Sequence, residues 1–381
     1  TRAYNAVIVA TGQLNLPKMP DIPGVDTFQG TAFHSARWPT DLSLAGKKVA
    51  VIGTGASAMQ LAPSVAEEAA ELAIFQRSAQ WAIPTRDYHR TVSLGKKWLL
   101  KNVPFYAEWF RFGQVWRYSD QLLATVRKDP DWLHPERAMN AKNDRHREVL
   151  TNYMREQLGN DAALCEKALP DYPPYGKRIL VDNNWFTTLR RRDVELVIEP
   201  ISHIDAHGVV TGDGTRFDAD VIVYATGFNA AKTLGDMRVY IKGGPALNDV
   251  WGEEDPRAYL GITVPGFPNL FFLYGPNANL GHGGSIIFIS ELQVRYILTL
   301  LMKMIEGGIK QIDCLPAVHD TYNQLLDDEH AELIWMHPGM GSWYKNKKGR
   351  IVSIMPWRLV DYWHLTHDPT LDDYRVKLRG G

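Results

Sequence analysis

The chain has 381 residues, 45% of them hydrophobic and 22% charged, with a formal net charge of −1; that length predicts about two or three domains and that composition a globular protein with a sizeable core. So even a balance leaves no electrostatic footprint for nucleic acid or an anionic membrane, and the pattern predicts neither as a partner. Cys165 and Cys314 are too far apart for a CxxC redox pair or a cysteine metal cluster, which excludes a disulfide-reductase chemistry, predicts no metal site and fits a reducing cytoplasm.

The chain opens on strand pattern, an apolar run at 6–10 followed by Thr11-Gly12, a pattern that predicts no signal peptide. Residues 28–46 read as a linker. From 47 to 83 a strand at 49–52, a helix at 56–70 and a strand at 71–75 alternate, which predicts a parallel sheet. Residues 84–175 break that rhythm: Phe105, Trp109, Phe112 and Trp116 recur at helical spacing with charges opposite, predicting a mostly helical insert whose aromatic stripe is core. Next come a helix near 184–191, a strand at 194–198 and a hairpin around Gly212-Asp213-Gly214. A second strand ending in Thr226-Gly227, a strand at 269–274, a glycine-rich loop at 275–284 and a long helix from about Ser285 complete the order. The apolar stretch 286–305 is interrupted by Glu291, Gln293, Arg295 and Lys303 and is too polar to span a bilayer.

The glycine turn carries the first chemistry. Gly53, Gly55 and Ala58 follow an apolar strand and open a helix, the context a dinucleotide-binding turn needs. Gly53 makes the tight turn, Gly55 lets the backbone approach a pyrophosphate, Ala58 allows close packing, and the helix N-terminus around Ser57 offers free N–H groups. At the end of the second strand an NAD site would carry Asp or Glu, whereas this chain has Gln76-Arg77-Ser78, with Arg77 placed to accept a 2′-phosphate. NADP is the expected cofactor.

The stretch 28–39, Phe-Gln-Gly-Thr-Ala-Phe-His-Ser-Ala-Arg-Trp-Pro, together with that turn, resembles the FxGxxxHxxxWP signature of type I Baeyer–Villiger monooxygenases and their nicotinamide-binding unit; the matching positions are Phe28, Gly30, His34, Trp38 and Pro39. The resemblance implies an α/β fold of two Rossmann-like domains, an NADP-binding domain inserted in an FAD-binding domain, with a mostly helical insert. Residues 1–27 would end the N-terminal part of the FAD domain, whose first half is not among these residues; 28–46 would be the fingerprint linker, 47–83 and 176–222 the NADP domain, 84–175 the helical insert, and 223–381 the C-terminal part of the FAD domain. Thr226 and Gly227 would stand at the return to the flavin domain and touch cofactor.

The same resemblance implies FAD and NADPH as cofactors, a small ketone and O2 as substrates, and insertion of one oxygen next to the carbonyl. Trp38-Pro39 favours this over N- or S-oxygenation, and the linker and insert are most similar to the 4-hydroxyacetophenone monooxygenase branch. Tyr175-Gly176-Lys177-Arg178 matches the family's catalytic turn. Arg178 is the implied catalytic residue, since a permanently charged guanidinium stabilises an oxygen anion without giving up a proton; Lys177 would reach the cofactor phosphate. His34 is implied to couple domain movement, and His282 to hydrogen-bond in a loop near the flavin ring. Ser342-Trp343-Tyr344 resembles a mobile segment that closes over the nicotinamide, with Trp343 as a cofactor contact or a core residue and 345–349 as a flexible loop. Two other readings stay open: an N- or S-oxygenating flavin monooxygenase, and a nucleotide-binding fragment without turnover of its own.

Overall fold

The structure, a computed structural model, describes residues 2–84, 90–241, 243–252 and 254–379. Residues 85–89 of the expected insert, and residues 1, 242, 253, 380 and 381 of the expected flavin-domain segments, lie outside the described residues. Two units make up the chain: Thr1–Leu16, Val92–Pro135 and Asn229–Gly381 form the first, and Pro17–Thr91 with Glu136–Phe228 the second.

The second unit is built on a five-stranded parallel sheet of β1 (Thr31–His34), β2 (Lys48–Ile52), β3 (Glu71–Phe75), β4 (Val194–Val197) and β5 (Val221–Tyr224), in the spatial order β1-β5-β2-β3-β4. Near-continuous apolar runs such as Val-Ile-Val-Tyr in β5 suit a sheet covered on both faces, and all of β5 is buried. Helix α1 (Ala56–Glu68) returns the chain from β2 to β3 and buries Ala58, Met59, Ala62, Val65 and Ala66, a stripe at helical spacing. A three-stranded antiparallel sheet follows β4, and its hairpin turns at Gly212-Asp213-Gly214 as expected, with Gly214 at φ +84° and Asp213 Oδ1 accepting from Thr215 N at 3.0 Å. Helix α2 (Ala141–Gln157) also belongs to this unit.

Strand β5 departs from expectation. Read as the return to the flavin domain, it instead lies inside the five-stranded sheet, hydrogen-bonded to β1 on one side and β2 on the other, and the chain leaves the unit only after Phe228. A fully buried apolar strand needs ladder partners on both edges, and β1 and β2 supply them.

In the first unit the 21-residue helix α3 (Ile286–Glu306) packs Tyr296, Ile297, Leu300 and Met304 against Phe271, Ile312 and Leu326. The strand Val7–Val9 pairs in parallel with Leu270–Phe272. None of the described helices is long and apolar enough to cross a membrane. The helical region is divided, 92–135 lying in this unit and 136–175 in the other. Its aromatic stripe is not core: Phe105 is 72% and Trp109 70% exposed, and Phe112 and Trp116 are also on the surface. Helical periodicity places these rings on one face, but what covers that face is decided by tertiary packing. At 345–349, expected as a flexible loop, Lys345 pairs with Ile351, and Asn346 Oδ1 accepts from Lys348 N and Arg350 N, each at 3.0 Å, which closes a tight turn around Gly349.

Candidate nucleotide-binding and active site

The site in the second unit starts where β2 runs into α1. Gly53 has φ +113°, and a Cβ there would meet the carbonyl oxygen of Ala225 at 2.5 Å, so only glycine fits. Gly55 is the N-cap of α1, and nothing lies within 4 Å of where its Cβ would point. One glycine is demanded by the fold, while the other leaves open space over the free N–H groups of α1, as the approach of an anion requires. Ala58 is fully buried beneath them.

Thr54 Oγ1 donates to the Ser78 carbonyl at 2.9 Å, tying the turn to the segment that follows β3. Ser78 Oγ in turn accepts from Lys177 Nζ at 2.7 Å, across 99 residues of sequence, and Lys177 Nζ lies 4.4 Å from the centre of the Tyr172 ring. Burial, and next the positive charge of Arg77, hold the Lys177 ammonium below its usual pKa. Two cations and a hydroxyl thus gather beside a helix N-terminus, where a phosphate would relieve the repulsion between them.

The loop that carries Lys177 is fixed by its own acceptors. Trp81 Nε1 donates to the Tyr172 carbonyl at 2.9 Å, Asn143 Nδ2 to the Pro174 carbonyl at 2.9 Å, and Tyr172 Oη to the Ala79 carbonyl at 3.0 Å. Tyr175, at φ +72°, has its hydroxyl 2.9 Å from His146 Nδ1. Burial pushes the Tyr175 phenol up to about 12 and, with help from Lys142 and Arg145, holds His146 below its ordinary value. Arg178 leaves this turn with an exposed side chain, just before the strand Leu180–Val181. Sequence reasoning missed Thr54, Tyr172, Asn143 and His146; the Tyr-Pro-Pro-Tyr run at 172–175, stiff at both prolines, was the one local sign of a fixed loop.

The fingerprint residues follow the C-terminal end of β1, the same edge of the sheet as the glycine turn, since His34 and Ile52 both pair with Tyr224. His34 is buried, its Nδ1 accepting from Ala36 N at 3.1 Å and its Nε2 2.9 Å from the Gly227 carbonyl. With Nδ1 an acceptor, Nε2 is the nitrogen that donates to the Gly227 carbonyl, so both ring nitrogens are used. The Gly227 carbonyl also accepts from Lys18 N at 2.9 Å, and Thr226 Oγ1 donates to the Lys18 carbonyl at 2.5 Å. Phe28 packs against the core around Ile222 and Tyr224, and a Cβ on Gly30 would strike the Asp220 carbonyl at 2.5 Å. Trp38, half-exposed ahead of Pro39, stacks edge-on against Phe33 at 4.9 Å. It lines a cavity of about 380 Å³ with Ser35, Ser57, Gln60, Leu61 and Phe228. The fold therefore brings fingerprint, α1 and the segment after β5 together, as three separate stretches of sequence had not shown.

Trp343 lies in the first unit, partly exposed, with its ring 4.5 Å from that of the buried Tyr344. His282 is buried there 6.5 Å from the Trp335 ring. The loop holding it ends at Ser285, whose Oγ accepts from Phe288 N at 3.4 Å and caps α3.

A profile of the flavin-binding monooxygenase-like family matches residues 1–95. An uncharacterized monooxygenase, y4iD, of Sinorhizobium fredii is 40% identical over 376 residues, 99% of this chain and 57% of that relative. A Baeyer–Villiger monooxygenase of Streptomyces coelicolor is 33% identical over 380 residues, 99% of this chain and 70% of that protein. Among solved structures, a steroid monooxygenase bound to NADP superposes with a TM-score of 0.81 at 26% identity, covering 98% of this chain and 75% of that one. The chain spans 57% of the length of the Sinorhizobium fredii relative and of an FAD-binding monooxygenase, ktnD, of Aspergillus niger.

Proposed function

Since this chain belongs to the Baeyer–Villiger monooxygenase family, we propose that the protein is an FAD- and NADPH-dependent monooxygenase that inserts one oxygen of O2 next to a ketone carbonyl, giving an ester or lactone. The observation that carries the reading is the Lys177–Ser78–Thr54 chain of hydrogen bonds beside Arg77, which joins a 2′-phosphate holder to the glycine turn. These residues fit NADPH: the open side of Gly55 and the α1 N-terminus near Ser57 take the pyrophosphate, and Arg77, Ser78 and Lys177 take the 2′-phosphate.

In the first unit, the N-terminus of α3 puts the positive end of a helix dipole beside the loop at 275–284, which suits an electron-rich part of FAD. Bound FAD would supply the activation of dioxygen, with electrons from NADPH. The protein's own share is to orient and to hold charge. Arg178, permanently protonated, would stabilise the negative charge that develops on oxygen as the carbonyl is attacked, and it cannot quench that charge by proton transfer. Trp38 and Phe228 exclude water from the edge of the nucleotide site, and Thr226, Gly227 and Trp343 contact cofactor. The substrates are aryl or alkyl ketones, the aryl ones on the resemblance to the 4-hydroxyacetophenone monooxygenase branch.

The test is turnover of FAD-loaded protein with NADPH, isotopically labelled dioxygen and an aryl ketone, a cyclic ketone or a thioether. Ester or lactone carrying the label is the expected product. Sulfoxide from the thioether with no ester from either ketone would replace this reading by S-oxygenation.

A further inference from the structure

The two helices Leu94–Asn102 and Tyr106–Tyr118 do not bury a single side chain. Helices of 9 and 13 residues are too short to hold themselves in water, and most helical stability comes from packing an apolar face. Here the apolar face points outward. Phe105, Trp109, Phe112 and Trp116 form one exposed stripe in which the Trp109 and Phe112 rings meet edge-on at 5.7 Å and the Phe112 and Trp116 rings stack at 6.0 Å. Leu94, 83% exposed, and Trp98 extend the apolar surface onto the first helix.

The hairpin is nonetheless anchored. Gly284 N donates to the Tyr118 carbonyl at 2.7 Å, Leu359 N donates to Asp120 Oδ1 at 2.6 Å, and Arg111 pairs with Glu291 of α3. It is a firmly held projection with its aromatic side uncovered.

Its charge differs from that of the chain. Residues 94–118 carry five basic side chains, Lys96, Lys97, Lys101, Arg111 and Arg117, against one acid, Glu108, in a protein of net charge −1. Lys96 Nζ lies over the Phe110 ring, 4.2 Å from its centre, so cation and aromatic surface are already in contact on this hairpin. Trp, Phe and Leu on one side with Lys and Arg beside them is the composition of a helix that lies in a membrane interface. The same charge opposes pairing with a second copy, because a two-fold contact would bring the basic patch against itself.

We propose that the 94–118 hairpin is a peripheral membrane-binding surface, its aromatic stripe entering the headgroup region of an anionic lipid bilayer while Lys97, Lys101 and Arg117 face the lipid phosphates. The whole-chain charge, which predicted no membrane partner, averages this patch away.

Co-sedimentation of the full chain with vesicles of phosphatidylcholine alone, or of phosphatidylcholine with phosphatidylglycerol, tests this at low ionic strength. Binding to the anionic vesicles should be at least about tenfold stronger and should fall as salt is added. Trp109→Glu with Phe112→Glu should abolish it, and Lys97→Glu with Lys101→Glu should remove only the preference for anionic lipid. Both pairs alter exposed positions, so an unchanged thermal melt confirms that folding is intact. Absence of binding to anionic vesicles, equal binding to both lipids, or sedimentation of the free protein as a dimer that Trp109→Glu breaks apart overturns the proposal.

Discussion

Replacing Lys177 by Met separates charge from shape. Nζ donates to Ser78 Oγ at 2.7 Å and lies 4.4 Å from the Tyr172 ring centre, so the methionine keeps the stem packed over the ring and removes only the cation. A charge-assisted hydrogen bond to a phosphate contributes about 1.5–3 kcal/mol. At ~1.4 kcal/mol per tenfold, NADPH should bind roughly 10- to 150-fold more weakly, while NADH, which lacks the 2′-phosphate, should change less than about threefold. The pH dependence has a defined sign. Burial and Arg77 depress the Lys177 pKa below 10.5, so its proton leaves earlier on the alkaline side than that of a free lysine, and NADPH affinity should fall there while NADH affinity stays level. Without cofactor, the unfolded chain holds that proton more tightly than the folded one. The folded form therefore gains stability as pH rises from the depressed value toward 10.5, and Lys177→Met should flatten that gain. Fluorescence titrations of both nucleotides at fixed ionic strength measure the split. Equal weakening of NADPH and NADH, or none, would refute the 2′-phosphate assignment.

The two turn glycines should separate fold from function. Gly53→Ala, with φ +113° and a Cβ 2.5 Å from a backbone oxygen, should cost at least about 2 kcal/mol in a thermal melt. Gly55→Ala should stay within about 1 kcal/mol of wild type in stability yet weaken NADPH and NADH alike, because its Cβ enters open space above the α1 N-terminus. In FAD-loaded protein, Arg178→Ala should leave flavin reduction by NADPH largely intact but divert dioxygen to hydrogen peroxide; wild-type rates of ester formation would remove Arg178 from the chemistry. Burial, and next Arg350, push His330 down to about 3, so the unfolded chain takes up a proton that the folded chain refuses. Stability should decline as pH falls below about 6.5, by about 1 kcal/mol near pH 5.5, and His330→Gln should lessen that decline in melts run across the range.

What the sequence made legible was local. The β2–turn–α1 unit could be read because an apolar run, two glycines and a helical stripe at Ala58, Ala62 and Val65 are neighbours along the chain, and their periods change from strand to helix at Gly53. The sheet partner of Val221–Tyr224 could not. An apolar strand announces that it is buried but not beside what, and its ladder reaches back to Thr31 and Val49. The aromatic stripe failed for the same reason, since spacing fixes which residues share a face and leaves its covering to the rest of the fold. Arg77 and Lys177 were each visible as candidates. The convergence of Lys177 on Ser78, next to Arg77 along the chain, was not, because 99 residues separate Lys177 from its partner.

That convergence also explains why so much of the fold is spent on one loop. A lysine on a free loop would lose side-chain and backbone freedom on meeting a phosphate, and that ordering cost would come off the affinity. Here the cost is met on folding. The Tyr172 and Pro174 carbonyls are held by Trp81 and Asn143, Tyr175 is held by His146, and Lys177 already rests on Ser78. Arg178, proposed to carry the chemistry, leaves the same turn one residue later. Any change that loosens the turn, such as Asn143→Ala, should therefore weaken NADPH binding and ketone oxygenation together, although Asn143 is buried and its side chain meets backbone groups, donating to the loop's Pro174 carbonyl and accepting from Met139 N.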